Sequence, residues 1–117
     1  MTEFSGLLRE MSRLPGVRAA MVGSIEAGVV VDAELMIGVD GDPVAALAAS
    51  LLKRTCRSLG AGDLGTLEFV QVEAGEGYLF AATPGAESDL FLAVVADRGV
   101  SPGMIRVEMR RGTGALS

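Results

Sequence analysis

The sequence has no histidine and no tryptophan, and it has a single cysteine, Cys56, among 117 residues. Without histidine the chain lacks the most common general base, the usual partner of a serine or cysteine nucleophile, and the most common transition-metal ligand. A lone cysteine excludes an internal disulfide and a cysteine-based metal cluster. These absences favour a binding protein over an enzyme, and we predict no catalytic residues, no bound metal and no cofactor.

Long apolar runs and an excess of positive charge are also missing. The longest strongly apolar run, 90–96, is far shorter than the roughly 18 residues that a membrane-spanning helix needs. The first residues do not place a basic segment ahead of an apolar one, as a signal peptide does. Ten Lys and Arg against fifteen Asp and Glu give a net charge of −5, which opposes binding to nucleic-acid phosphates. We therefore expect a cytoplasmic protein with no membrane insertion and no nucleic-acid partner.

Apolar residues, in contrast, are abundant. They make up 50% of the chain, and the mean hydropathy is +0.43. That is enough apolar surface for a folded core, with a surplus that predicts a partner covering part of the surface. The length suits one domain, so we predict a single domain over 1–117 that is ordered from about residue 3 to about residue 112.

Hydrophobic periodicity and turn residues divide the chain into helices and strands. Apolar residues three and four apart predict helices, and short runs rich in β-branched and aromatic residues predict strands. Asp42 and Pro43 are the clearest helix start, because aspartate caps a helix and proline suits its first position; Gly60 suits its end. The segment 32–42 is expected to be an acidic connection. Helices are predicted at 3–14, 43–59 and 102–112, and strands at 17–22, 28–31, 66–74, 78–83 and 89–96.

The order of these elements predicts the fold class. Strand 89–96 is almost continuously apolar, which is typical of a central strand with both faces covered. The connections around Gly23 to Glu26 and at 75–77 are short enough for hairpins. We predict an α+β fold with the order α-β-β-α-β-β-β-α, in which a five-stranded antiparallel sheet carries helices on both faces.

The second helix is predicted to be buried on two sides. One side must pack on the sheet, and the other needs a further cover. Alanines would let another helix approach closely, so the alanine-rich side is predicted to meet its own copy in a twofold dimer. The alternative is a helix enclosed within the monomer. The two apolar sides consist of Val44, Leu47 and Leu51, and of Ala45, Ala49, Leu52, Cys56 and Leu59.

Other residues that could carry chemistry have simpler explanations. The glycine-rich run 60–65 follows a helix and precedes a strand, the wrong order for a phosphate-binding loop. Cys56 is expected to be a buried small hydrophobe, with a reactive thiol beside the basic residues as the alternative. Tyr78 is expected to pack on the core.

Two charged groups are left with alternative interpretations. The four acids of the connection match no EF-hand spacing, so they form a solvated acidic segment or a surface for a basic partner. The three basic residues of the second helix are either its solvated end or a patch for an acidic partner. The groups are Asp32, Glu34, Asp40 and Asp42, and Lys53, Arg54 and Arg57.

The element order and several segments resemble the roadblock family, named for the dynein light chain. The resemblance covers nearly the whole chain, and its motifs are packing and turn residues. It implies a profilin-like domain that dimerises with itself or with another roadblock-like chain through its second helix and third strand, and that associates with a Ras-like small GTPase. The segments are 14–17, the alanine-rich 45–52, 65–68, and the strand 90–95 followed by the helix 101–111.

Bacterial roadblock proteins often act beside a GTPase in polarity and motility systems, where a roadblock dimer can accelerate GTP hydrolysis. The predicted function is therefore a non-enzymatic regulator or adaptor of a small GTPase. Arg57 and Arg106 are conceivable donors of an arginine in trans, although the resemblance assigns that role to no position. A nucleotide-independent scaffold is the alternative; a small-molecule sensor is disfavoured by the few aromatic residues. Predicted dimer-interface residues are Ala45, Ala49, Leu52, Cys56, Leu67 and Phe69, and predicted partner-binding residues are Lys53, Arg54 and Arg57.

Overall fold

The described residues fold in the order predicted from the sequence, α-β-β-α-β-β-β-α, and end in a short 3₁₀ helix. The computed structural model describes residues 3–85 and 88–116. The elements are α1 (Ser5–Ser12), β1 (Val17–Ser24), β2 (Val30–Leu35), α2 (Gly41–Ala61), β3 (Phe69–Glu73), β4 (Gly77–Ala82), β5 (Leu90–Asp97), α3 (Pro102–Thr113) and the 3₁₀ helix Gly114–Leu116.

The strands form one antiparallel sheet in the order β2-β1-β5-β4-β3. The almost continuous apolar run of β5 is explained by its central place, because both of its faces are buried. β2 and β3 lie at the two edges of the sheet. The predicted antiparallel sheet with helices on both faces is confirmed.

The two faces of the sheet carry different cores. α1 and α3 cover one face with large side chains, which pack against Phe80 and Leu92 of the sheet. α2 covers the other face, where the buried residues of the helix and the sheet are mostly alanines around Met21, Leu52 and Phe91. Small side chains let the α2 backbone lie close to the strands.

Several boundaries differ from the sequence prediction. The N-cap of α2 is Asp40, not Asp42, and the C-cap is Gly62, not Gly60. Asp42 instead lies in the first turn, where a negative charge suits the helix dipole. α1 is shorter than predicted and ends at Ser12, ahead of the Pro15 that bars helical geometry in the residue before it. β3 is also shorter than the predicted 66–74 strand, as it begins at Phe69.

The largest difference is in β2, which continues through residues that were expected to form an acidic connection. Asp32 pairs with Val22 of β1, and Leu35 pairs with Ala19. The local pattern did not indicate a strand because an edge strand with exposed positions needs no clean alternation of apolar and polar residues.

In α3 the predicted start is confirmed: Pro102 is the first residue, and the Ser101 hydroxyl accepts a hydrogen bond from the Met104 N–H.

Gly23 provides a test of the packing between β1 and β5. It pairs with Phe91, and a Cβ at this position would lie 2.4 Å from the Cζ atom of the Phe91 ring. Phe91 is fully buried, so its ring has no free space to enter. We expect Gly23→Ala to lower the free energy of unfolding by about 1–3 kcal/mol, measured by urea denaturation. Gly6→Ala in α1 is the control, because open space surrounds that position and alanine favours a helix; equal midpoints for the two variants would contradict the prediction.

Candidate partner-binding surfaces

α2 is apolar on two sides, as predicted, but the two sides are exchanged. The alanine-rich side packs on the sheet, whereas Leu47 is 53% exposed and Val44 and Leu51 are half-buried. The exchange has a steric reason, since alanines fit over Met21 and Phe91 and leave the leucines for the outside. The side of α2 that needs a cover is therefore the leucine side.

Four of the six predicted dimer-interface residues are buried within the monomer and offer a partner almost no surface. Ala45 and Leu52 are 0% exposed, Ala49 is 3% exposed and Leu67 is 5% exposed, all covered by the chain's own sheet and helix. The expectation that Cys56 is buried is wrong, since its thiol is exposed. The sixth predicted residue, the half-buried Phe69, packs against the other core.

The sheet beside α2 is only partly covered. α2 lies mainly over β1, β2 and β5, and side chains of β3, β4 and β5 on the same face remain half-buried. Val72, Leu79 and Val95 are neighbours in one row across these three strands. We call the outer side of α2 together with this part of the sheet the apolar platform: Val44, Leu47, Leu51, Val70, Val72, Leu79 and Val95.

The three predicted basic residues lie at the C-terminal half of α2, where they line two neighbouring clefts. Lys53 and Arg57 line both clefts, of about 410 and 270 Å³, and Arg54 lines the smaller one. The Lys53 ammonium donates a hydrogen bond to the Glu26 carbonyl oxygen at 2.9 Å and therefore holds the chain's own β1–β2 turn. The guanidinium groups of Arg54 and Arg57 have no hydrogen-bond or ion-pair partner within 3–85 and 88–116, which leaves them available to a partner.

The wall of the larger cleft is held in place by Asp89. Its carboxylate accepts hydrogen bonds from the Ser24 hydroxyl and from the Glu26 N–H, the latter at 2.9 Å. The Ser24 bond contributes most to a lowered pKa of Asp89, followed by the Glu26 N–H, and the positive charge of Lys53 adds to the effect. The carboxylate therefore stays ionised at neutral pH and fastens the β1–β2 turn beside Lys53.

The remaining candidate residues have structural surroundings. The Arg106 guanidinium lies 5.3 Å from the centroid of the Phe69 ring, so it contacts the chain's own surface. Tyr78 packs on the core, as expected, with its ring 5.5 Å from that of Phe80. Among the described residues that line the two clefts, none is aromatic.

The described residues also bear on metal and membrane sites. In 3–85 and 88–116 no three acidic or cysteine side chains come together as ligands for a metal ion. The acids expected in the connection are instead spread along β2 and the start of α2. Among the described helices, none combines the length and apolar character that crossing a bilayer demands.

Comparison with known proteins identifies the family. The model of the Roadblock/LC7 domain matches residues 4–96, which is most of the chain. The chain belongs to the roadblock family. The resemblance noted in the sequence is thereby confirmed. The family match ends before α3, and the solved roadblock structures extend the likeness over the rest of the fold.

Three solved structures illustrate the likeness. A Roadblock/LC7 domain from Streptomyces avermitilis is 28% identical, with a TM-score of 0.79 over 96% of this chain and 89% of that one. The gliding protein MglB from Thermus thermophilus is 19% identical, with a TM-score of 0.82 over 97% and 85%. MglB from Myxococcus xanthus is 13% identical, with a TM-score of 0.84 over 97% and 84%. The two MglB structures show that this roadblock domain shares their fold. No match was found among the curated proteins.

Sequence reasoning missed two parts of this roadblock surface. The half-buried row Val72, Leu79 and Val95 was assigned to strands, but nothing in the local pattern showed that α2 leaves it bare. Asp89 was placed at a strand start, and its bond to Ser24 joins residues 65 positions apart. A long-range hydrogen bond of this kind leaves no periodic signal in a single sequence.

Proposed function

We propose that this roadblock domain is a non-enzymatic regulator or adaptor of a Ras-like small GTPase. In this proposal it acts in the cytoplasm as a dimer, formed with itself or with another roadblock-like chain. The observation that carries the proposal is the apolar platform. Exposed and half-buried apolar side chains on a helix and on the partly covered sheet face beside it mark a protein interface. The family resemblance supplies the class of partner.

The dimer proposal rests on the shape and composition of the platform. Leu47 is 53% exposed, and it shares the outer side of α2 with Leu51. A twofold dimer uses the same patch on both copies, so one contact covers both platforms. β3 is an edge strand of the sheet and adjoins the platform, which is consistent with the second helix and third strand that the resemblance implies.

The proposed contact with the GTPase involves the basic end of α2. Arg54 and Arg57 offer positive charge to an acidic surface, and such charge complementarity contributes to specificity and to the rate of association. Arg106 is engaged with Phe69, which disfavours it as an arginine supplied in trans. We propose that the domain favours one conformation of the switch loops through surface contacts, limited by its differential affinity for the two nucleotide states.

The test is a pull-down with the full chain from its native lysate, run in parallel with GDP and with a non-hydrolysable GTP analogue. We expect mass spectrometry to find a small GTPase enriched in one nucleotide state. The same GTPase in equal amounts with both nucleotides would favour the scaffold, and the absence of any GTPase would overturn the proposal.

Charge variants test the surface itself. We expect Arg54→Glu combined with Arg57→Glu to reduce the recovered GTPase by roughly tenfold or more, because repulsion replaces attraction at the contact. The matched control is Arg9→Glu combined with Arg13→Glu. These exposed arginines belong to α1 and its C-cap, on the other face of the sheet. An equal loss in the two double variants would show that net charge, not the α2 surface, determines recovery.

A further inference from the structure

The edge of the sheet opposite β3 carries an exposed apolar surface that the proposed dimer leaves free. Val31 and Leu35 of β2 are 44% and 45% exposed, and in the loop that follows Met36 is 59% and Ile37 104% exposed. In the described part of the chain, β1 is the only strand that pairs with β2. We call Val31, Glu34, Leu35, Met36 and Ile37 the β2 edge surface.

A groove runs beside this surface, between β2 and the start of α2. Val30, Ala33 and Leu35 form its strand side, and its volume is about 510 Å³. Asp40 and Asp42 stand at the α2 side. The groove therefore offers apolar contacts next to carboxylates, beside the outer edge of β2.

The chain segment that carries the β2 edge surface is acidic, and the basic residue beside it, Arg18 of β1, is paired with Asp97. The stretch 26–42 contains five acids and no basic residue, so it accounts for the whole net charge of −5. The rest of the chain balances ten acids with ten bases. An edge with this charge attracts lysine and arginine side chains.

The same charge disfavours a second copy of the chain as the occupant. An antiparallel pair of two β2 edges would bring acidic strands side by side, and like charges on paired strands are destabilising. β2 lacks lysine and proline, which often protect the edges of sheets, but it carries Asp32 and Glu34, whose like charges repel a second copy of the same edge. The backbone N–H of Ala33 donates a hydrogen bond to the Asp32 side chain at 2.9 Å. A strand added at this edge would offer the Ala33 N–H a backbone carbonyl oxygen as a new acceptor.

We propose that the β2 edge surface docks an extended basic segment of another protein, in which apolar residues alternate with lysine or arginine. The segment adds to the sheet as a strand and places its apolar side chains in the groove, on the sheet face of Ala33 and Leu35. Its alternating cations then lie on the opposite face, where they meet Glu34, and a cation at one end of the segment reaches Asp40 beside the groove. This interaction is independent of the proposed dimer and GTPase contacts, which use the apolar platform and the basic end of α2.

The experiment begins with a random peptide library displayed on phage and selected against the immobilised full chain. We expect the enriched peptides to alternate apolar residues with lysine or arginine. Backbone amide NMR shifts on binding are expected to be concentrated in 30–37. Enrichment of peptides without basic residues, no enrichment, or shifts confined to other elements would overturn the proposal.

Variants then separate the edge from the rest of the surface. By fluorescence anisotropy, Glu34→Lys combined with Asp40→Lys is expected to weaken binding of an enriched peptide by roughly tenfold or more. Ile37→Ser tests the apolar contact without disturbing the core, because this side chain is fully exposed. Glu76→Lys, in the turn between β3 and β4, is the charge control and should bind as the wild type does.

Equal binding by the edge variants and the wild type would contradict the proposal. A change in oligomeric state caused by Ile37→Ser, measured by sedimentation velocity, would assign the edge to contacts between copies and also overturn it. Recovery of a GTPase by the edge variants is expected to be normal, which distinguishes this proposal from the proposed function.

Discussion

Replacement of Leu52 by aspartate is expected to unfold the protein, not to release a folded monomer. Leu52 is 0% exposed and lies in the core between α2 and the sheet. Truncation of a buried leucine costs about 2–5 kcal/mol, and a buried unpaired carboxylate costs several kcal/mol more. The sum approaches the whole stability of a typical domain, roughly 5–15 kcal/mol. Circular dichroism and urea denaturation should show no cooperative transition at neutral pH.

Two further measurements make this result specific. Leu52→Ala keeps the site apolar and should fold with a reduced urea midpoint. Lower pH should partly restore folding of Leu52→Asp. Burial raises the pKa of the introduced carboxyl, so its cost is smallest below the unfolded pKa and grows as pH rises through the folded value. A cooperative, wild-type transition for Leu52→Asp at neutral pH would show that α2 does not pack in this orientation.

The same substitution five residues earlier, Leu47→Asp, is expected to leave the fold intact and abolish dimerisation. Leu47 is 53% exposed, so in the monomer a charge there stays in water. In the proposed twofold dimer the carboxylate loses water and lies near its own copy, which costs about 3 kcal/mol or more and raises the dissociation constant about a hundredfold. Sedimentation velocity should give a dimer for the wild type and a monomer for the variant, with equal urea midpoints.

Val107→Asp is the matched control for the interface. Val107 is 55% exposed and lies on α3, on the opposite face of the sheet. This variant should remain dimeric, because its surface is outside the apolar platform. A dimeric Leu47→Asp protein would show that the outer side of α2 is not part of the dimer interface. A monomeric Val107→Asp protein would show that the interface involves α3.

Much of the fold could be predicted from local patterns. Ser101 and Pro102 marked the start of α3, and the apolar run of β5 indicated a central strand, because these features depend on neighbours in the chain. The end of β2 could not be predicted in this way. Leu35 belongs to a strand because it pairs with Ala19, and that pairing depends on the register of the whole hairpin.

The candidate sites also include features that depend on neighbours in the chain and features that depend on distant contacts. Lys53, Arg54 and Arg57 were found from the sequence because Arg57 follows Lys53 by four residues and Arg54 by three, and residues so spaced are neighbours on a helix surface. The sequence did not show that these three residues differ in their availability to a partner. Lys53 donates a hydrogen bond to Glu26, which lies in a turn distant in the chain. The predicted domain limits of 1–117 and the predicted partners stay predictions.

The sequence by itself determined the element order, the antiparallel sheet, the family and the fact that α2 is apolar on two sides. Each of these depends on residue types at fixed spacing, which a single sequence displays. Only the tertiary structure decided which side of α2 faces outward. That choice depends on the fit of Ala45, Ala48 and Ala49 over Met21 and Phe91, and close packing between elements distant in the chain sets the rotation of a helix about its axis.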